Sequence, residues 1–408
     1  MAMNDYKFDL VAIIAFCVFV VTGLVNAFLM LFFLLPITVA FCIYVEKHKK
    51  NYKLSVFSII DCVFLLFIVV EIVCALKSIY LPNSQLAILK LLSGVLLYFF
   101  IRLFVRSGML KICEIISYMA GLLSVITLIF FYFHQQRYAT LGPLEQYKGF
   151  YRPLGMLSND LATLLLCLMP FSVTTIIVKK GMYRWLSLLI CCLLVICILF
   201  SFSRGAYLAL IVFVVSSVFL WFCIAKRNFI KLVFLFSVVF AVSFGSTLGF
   251  CGDIATTLQM NKTISQQKSI EGRFFKYKEA ISVFDKNKLF GVGGGNYTLA
   301  IERYVPSVKE DDFSPRCTNT FFQILVEKGI LGAVVFIFFV VCVIIEGFKR
   351  LKENWIMAFF VSAIFSLLLR ECTFSSLFEV DSIFMLFVII CSIIIHNVDE
   401  NKMEFSEN

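Results

Sequence analysis

The sequence contains few charged residues and very few histidines. Of its 408 residues, 15% are Asp, Glu, Lys or Arg, 61% are hydrophobic, and only three are histidines. A water-soluble domain of this length needs a larger polar share for its surface, so the composition excludes an ordinary soluble protein. Because the histidines are limited to His48, His134 and His396, neither a Ser-His-Asp triad nor a histidine metal site is expected.

The alternation of apolar and polar residues that marks transmembrane strands is also missing. The apolar residues come instead in runs of about 18 to 24, each long enough to cross about 30 Å of hydrocarbon as a helix. We therefore predict an all-α, polytopic membrane protein with about twelve transmembrane helices and a single integral membrane domain over residues 1–408. The predicted spans lie near 9–25, 27–45, 54–76, 85–105, 112–133, 159–178, 184–202, 205–225, 229–250, 321–346, 354–371 and 376–396.

Lysine and arginine form short clusters after every second predicted span. By the positive-inside rule these clusters lie in the cytoplasm, and both termini lie there too. The net charge of +10 follows this membrane pattern, so nucleic acid is not an expected partner. The topology leaves two long extracytoplasmic loops, over residues 134–159 and 251–320. The basic clusters are 47–53, 102–111, 179–184, 226–231 and 349–352.

The longer loop contains two recognisable local patterns. Phe274, Tyr277, Ile281 and Phe284 recur at helical spacing between charged residues, which predicts an amphipathic helix lying on the membrane. The glycine run 291–295 lacks the lysine and serine of a nucleotide-binding loop, so it is interpreted as a turn.

Three arginines lie near the predicted outer surface. Arg204 lies between two apolar spans, Arg273 lies at the start of the predicted amphipathic helix, and Arg152 precedes a span. Each alone can be a solvated or snorkelling cation. Together they are placed at the level of the lipid headgroups, where a guanidinium can bind the diphosphate of a polyprenyl-linked sugar. The acids Asp61 and Glu71 lie within one span, and either an ion path or a structural hydrogen bond accounts for them.

Read in order, a series of short motifs over residues 150–335 resembles the O-antigen ligase and polymerase superfamily of bacterial surface polysaccharide assembly. The resemblance implies a GT-C-like fold, a polyprenyl diphosphate-linked oligosaccharide as donor, and no metal or other cofactor. The motifs are Arg152-Pro153-Leu154-Gly155 with Asn159 and Leu161-Ala162, Ser203-Arg204-Gly205, Gly272-Arg273, Phe290-Gly291-Val292-Gly293, Asn319-Thr320-Phe321-Phe322-Gln323 and Glu327-Lys328-Gly329-Ile330-Leu331-Gly332.

The resemblance also implies roles for particular residues. Arg204 and Arg273 correspond to phosphate-binding arginines and are the expected catalytic residues. Ligases of the family have a histidine before the loop asparagine, where this chain has Thr318. That difference favours a polymerase over a ligase. The expected substrate-binding residues are Arg152, Arg316, Thr318, Asn319 and Glu327.

The predicted function is therefore a metal-independent glycosyltransferase in the bacterial inner membrane, surrounded by membrane lipid. It would polymerise O-antigen, capsular or exopolysaccharide repeat units at the outer face, with a chain-length regulator as a further expected partner. One alternative is a ligase that transfers the glycan to lipid A-core. A second, from another class, is a flippase or transporter of the lipid-linked glycan. For the general base, the outer-side carboxylates, His134 and positioning without any base all remain open.

Overall fold

In the computed structural model of the chain, all the regular secondary structure of the described residues is α-helical, and no strand occurs among them. This confirms the all-α prediction. The described residues are 58–104, 109–138, 156–201, 203–225, 229–250, 265–305, 316–351 and 354–395. The helices are α1 (Ile59–Leu76), α2 (Leu81–Phe104), α3 (Met109–Tyr138), α4 (Ser158–Val178), α5 (Met182–Phe200), α6 (Arg204–Ala225), α7 (Phe229–Phe250), α8 (Ser265–Lys286), α9 (Tyr297–Tyr304), α10 (Thr320–Leu351), α11 (Met357–Glu371) and α12 (Asp381–Ile395).

Seven of these helices contain stretches long and apolar enough to cross a membrane: α1, α3, α4, α5, α6, α7 and α10. A polytopic helical membrane protein is therefore confirmed. The predicted spans near 9–25 and 27–45 lie outside the described residues. Helix α4 lies at the centre of the bundle, because 89% of its apolar stretch is buried, whereas only 28% of the apolar stretch of α7 is buried. It packs against α3, α5, α11 and α12.

The acids of the first described span have structural partners. Asp61 forms a capping box with Ser58 at the start of α1 and accepts a hydrogen bond from the Tyr98 hydroxyl at 2.7 Å. Glu71 forms a buried ion pair with Lys328 of α10. The Lys328 ammonium also lies 5.6 Å from the ring centroid of Phe67. These contacts support the structural interpretation of both acids over an ion path.

Helix α10 is interrupted at Gly329, whose φ of +63° lies in the left-handed region that favours glycine. At the break, backbone groups freed from the helix pair with the glycine-rich loop that precedes α9. The interruption therefore leaves these groups hydrogen-bonded. The pairs are Val292 N to Val326 O at 2.9 Å, Gly293 N to Glu327 O at 2.8 Å and Ile330 N to Lys288 O at 2.9 Å.

Two glycines permit this close approach of backbone to backbone. A Cβ atom on Gly291 would collide with the carbonyl group of Glu327, and one on Gly329 would collide with the carbonyl of Leu289. Gly291 also has a positive φ, of +68°. The motifs around residues 290 and 329 are far apart in the sequence, but they form one structural unit.

A second, small core lies beside this unit, between α8, α9 and the segment before α10. It contains Ala280 and Val283 of α8 together with Tyr297 and Cys317, and its burial raises the pKa of the Cys317 thiol to about 11. Phe274 and Ile281, on another face of α8, are 62% and 46% exposed. Helix α8 thus includes the segment predicted to be amphipathic. One of its faces packs against this core, and apolar residues on another face are exposed.

Replacing Gly329 by Ala tests the break in α10. We expect the free energy of unfolding to fall by about 1–3 kcal/mol, because alanine disfavours the left-handed conformation and its methyl group meets the Leu289 carbonyl. Thermal unfolding in detergent measures the effect. The control is Gly245→Ala in α7, where nothing lies within 4 Å of an added Cβ and alanine favours the helix. Equal midpoints for the two variants would contradict the role assigned to Gly329.

Candidate functional site

The first turns of α4, α6 and α10 meet at one end of the bundle, the end predicted to face outward. Ser203 Oγ, one residue before α6, donates to Asn159 Oδ1 in α4 at 2.6 Å. Arg316, in the segment before α10, donates from Nη1 to Asp160 Oδ2 at 2.6 Å. A helix N-terminus presents unpaired N–H groups and the positive end of the helix dipole. Three of them at one end favour an anionic ligand.

Arg370, in the last turn of α11, is buried inside this meeting point and is only 1% exposed. Its Nη2 donates to the main-chain oxygen of Asn159 at 3.2 Å and to Asn159 Oδ1 at 3.1 Å. Its Nη1 donates to Thr373 Oγ1 at 3.0 Å. Its Nε has no hydrogen-bond partner among the described residues. The arginine therefore ties α11 to α4 and retains one unused donor.

Of the two predicted catalytic arginines, Arg204 lies beside Arg370. Arg204 is the exposed first residue of α6, and a Cβ on its neighbour Gly205 would lie 3.1 Å from Arg370 Nη1. Arg273 is exposed on α8, and its charge affects Arg370 less than the charges of Glu371 and Asp160 do. We call Asn159, Ser203, Arg204, Arg273 and Arg370 the arginine junction.

Glu371, the residue after Arg370, holds the α11–α12 loop to the start of α10. Its carboxylate accepts hydrogen bonds from the hydroxyl of Thr320 and from Ser376 Oγ, the latter at 2.5 Å. The main-chain N–H groups of Ser376 and Leu377 donate to it at 2.9 Å each. A carboxylate with four donors is satisfied within the protein, so its role at this end of the bundle is structural.

The other residues predicted to bind substrate differ in their contacts and burial. Asn319 caps the start of α10, where its Oδ1 accepts from Phe321 N at 2.8 Å, and its Nδ2 donates to Cys372 O at 3.1 Å. The Thr318 hydroxyl is buried without a hydrogen-bond partner among the described residues. Arg316 pairs with Asp160, as described above, and Arg152 lies outside the described residues.

Glu327 lies apart from the arginine junction, in the wall of a cavity of about 630 Å³. Gln323 Nε2 donates to Glu327 Oε1 at 3.2 Å and to Glu379 Oε1 at 2.5 Å. Glu379 Oε2 in turn lies 3.9 Å from Arg316 Nε, and Arg316 binds Asp160, the neighbour of the junction residue Asn159. The polar residues of the wall include Lys90, Gln323, Glu327, Lys328, Glu379 and Asp381.

Four residues of this region were not predicted from the sequence to have a role: Arg370, Glu379, Lys90 and Asp381. The available signal was an ionisable residue within or at the end of an apolar run, which marks a functional candidate in a membrane protein. Lys90 interrupts such a run and Arg370 closes one.

Comparison with known proteins identifies the central part of the chain. Residues 188–337 match the family model described as O-Antigen ligase. The matched segment begins in α5 and ends in α10, and it contains Arg204, Arg273 and Glu327. No curated protein matches the chain. The match covers less than half of the chain, and over that part it agrees with the resemblance to the O-antigen ligase and polymerase superfamily.

Replacing Gly205 by Ala tests the packing of the arginine junction. The added methyl carbon would lie 2.6 Å from Thr373 Oγ1, so either Thr373 or α6 must shift. Overpacking of this kind costs about 1–3 kcal/mol, and we expect a lower midpoint of thermal unfolding. Gly272→Ala is the matched control, because Gly272 is also the sequence neighbour of an arginine and has nothing within 4 Å of an added Cβ. An unchanged midpoint in Gly205→Ala would contradict this packing.

Proposed function

We propose that this chain, with its O-antigen ligase domain over residues 188–337, is a glycosyltransferase that polymerises surface polysaccharide repeat units. It would take the growing glycan from a polyprenyl diphosphate carrier at the outer face of the bacterial inner membrane. The observation that carries the proposal is the arginine junction, where Arg204 begins α6 beside the buried Arg370, close to converging helix N-termini. We propose that Arg273 of α8 faces the same site. The family match supports a lipid-linked glycan as substrate.

The proposed reaction is a displacement at the anomeric carbon of the donor sugar. The oxygen of an acceptor hydroxyl forms a bond to this carbon, and its proton passes to water. The bond from the carbon to the diphosphate oxygen breaks, and polyprenyl diphosphate leaves with the electron pair. Negative charge therefore grows on the diphosphate in the transition state, where cations and N–H donors that are already in position stabilise it.

The roles of the junction residues follow from their exposure. Arg204 and Arg273 are exposed and would hold the diphosphate, since a guanidinium matches phosphate oxygens with paired donors. Arg370 is buried against Asn159 and would act as a positioning residue, because Asn159 also binds Ser203, the residue before Arg204. We propose that Arg152, Arg316, Thr318 and Asn319 contact the diphosphate or the incoming glycan.

Thr318 favours a polymerase over a ligase. In the position where the family's ligases have a histidine, this chain has a buried hydroxyl, which is not basic enough at neutral pH to take a proton from the acceptor. Transfer to lipid A-core is the second candidate, favoured by the description of the matched family model. A flippase or transporter would need a polar path to both faces, whereas the arginine junction lies at one end of the bundle.

Product size distinguishes these functions. Purified protein is incubated with a labelled polyprenyl diphosphate oligosaccharide, with and without lipid A-core. A ladder of repeat-unit multiples without added acceptor is the result expected for a polymerase. A single transfer that requires core would identify a ligase, and no product under either condition would contradict a transferase and favour transport.

Replacing Arg204 or Arg273 by Ala tests the donor site. We expect turnover to fall on the order of 10²-fold or more, because each variant loses a cation that stabilises the developing charge. Initial rates at saturating acceptor measure the effect. Lys278→Ala is the control, since it removes one positive charge from the exposed surface of the helix that carries Arg273. Turnover near wild type in both arginine variants would contradict the assignment.

A further inference from the structure

The cavity beside the arginine junction is a separate polar site. It lies between α2, the first turns of α10, the loop between α11 and α12, and the first turn of α12, with Gly295 of the glycine-rich loop in its wall. Its volume of about 630 Å³ falls within the range of small-molecule sites, roughly 300–1,000 Å³.

The charges of the wall favour a neutral ligand over an anion. The wall contains the three carboxylates of Glu327, Glu379 and Asp381 and the two ammonium groups of Lys90 and Lys328. Lys90 Nζ is already 2.8 Å from Asp381 Oδ1, and Lys328 is paired with Glu71. The cavity therefore offers no uncompensated cation to a phosphate group. It offers carboxylate and amide oxygens, which accept hydrogen bonds from hydroxyl donors.

These acceptors are held in a fixed arrangement. Gln323 bridges Glu327 and Glu379 through its Nε2, and its Oε1 accepts a hydrogen bond from Ser375. Phe378 and Phe384, with ring centroids 5.8 Å apart, add an apolar surface to the wall. Fixed acceptors beside aromatic rings suit a sugar ring, which has hydroxyl groups at its edge and C–H groups on its faces.

The cavity is also connected to the arginine junction. Glu379 in its wall lies 3.9 Å from Arg316, and Arg316 bonds to Asp160, the neighbour of Asn159. We propose that the cavity is the acceptor subsite, which binds the terminal hydroxylated sugar of the acceptor glycan. This proposal rests on the proposed function, and it adds a location for the second substrate that is separate from the diphosphate site.

Ala87 is the position from which the cavity can be filled. It lies on α2 and lines the cavity, so the side chain of Ala87→Trp would occupy the space of a sugar ring. Ile88, the next residue of the same helix, is not among the residues that line the cavity. Ile88→Trp is therefore the matched control for the bulk of tryptophan on α2.

Binding of two probes separates the two sites without requiring turnover. The probes are the free repeat-unit oligosaccharide, released from the polysaccharide of the strain that encodes the chain, and polyprenyl diphosphate without sugar. In Ala87→Trp we expect oligosaccharide affinity to fall at least about tenfold and polyprenyl diphosphate affinity to stay within about twofold. Ile88→Trp should change neither affinity, and Arg204→Ala should weaken only polyprenyl diphosphate.

Three outcomes would overturn the acceptor subsite: no oligosaccharide binding to the wild type, unchanged oligosaccharide affinity in Ala87→Trp, or a parallel loss of both affinities. If Ala87→Trp does not fold, Glu327→Gln and Gln323→Ala replace it, and each should raise the KM for acceptor while the KM for donor stays constant. A wild-type protein that binds the oligosaccharide but forms no product would contradict the proposed transfer reaction, and selective loss of this binding in Ala87→Trp would still support a glycan site in the cavity.

Discussion

The hydrogen bonds at Asn159 are the interaction on which the positions of Arg370 and of the start of α6 depend. Its Oδ1 accepts from Ser203 Oγ and from Arg370 Nη2, so one amide group joins α4, the start of α6 and the end of α11. A buried guanidinium is costly in a membrane protein unless its donors are bonded. The same bonds that satisfy most of Arg370 therefore also determine where Arg204 leaves the bundle.

The break at Gly329 has a corresponding effect on the cavity. It directs the backbone of α10 into hydrogen bonds with the glycine-rich loop, and that loop supplies Gly295 to the cavity wall. Glu327 and Lys328, just before the break, also line the cavity. Lys328 pairs with Glu71 of α1, so removing either partner would leave a buried charge uncompensated, at a cost of about 3–5 kcal/mol. The stability of the fold and the shape of the proposed acceptor subsite thus depend on the same segment.

Helix positions were predictable from the sequence because length and hydropathy determine which segments cross a membrane. The span predicted near 229–250 is observed as Phe229–Phe250, and the one near 159–178 as Ser158–Val178. Arg204 and Arg273 stood out because the sequence predicts them on the side where positive charge is unusual. Arg370 and the cavity were missed because their meaning depends on tertiary contacts, such as the bond between Arg370 and Asn159 across 211 positions of the chain.

The proposed role of the arginine junction is to bind the diphosphate of a lipid-linked glycan. Its most direct test is a cryo-electron microscopy structure of the protein with a polyprenyl diphosphate oligosaccharide, in which the two phosphorus atoms can be located. We expect both to lie between Arg204 and Arg273, near the first turns of α4 and α6. A diphosphate bound elsewhere, for example against Lys90 in the cavity, with both arginines away from it, would contradict the proposed donor site.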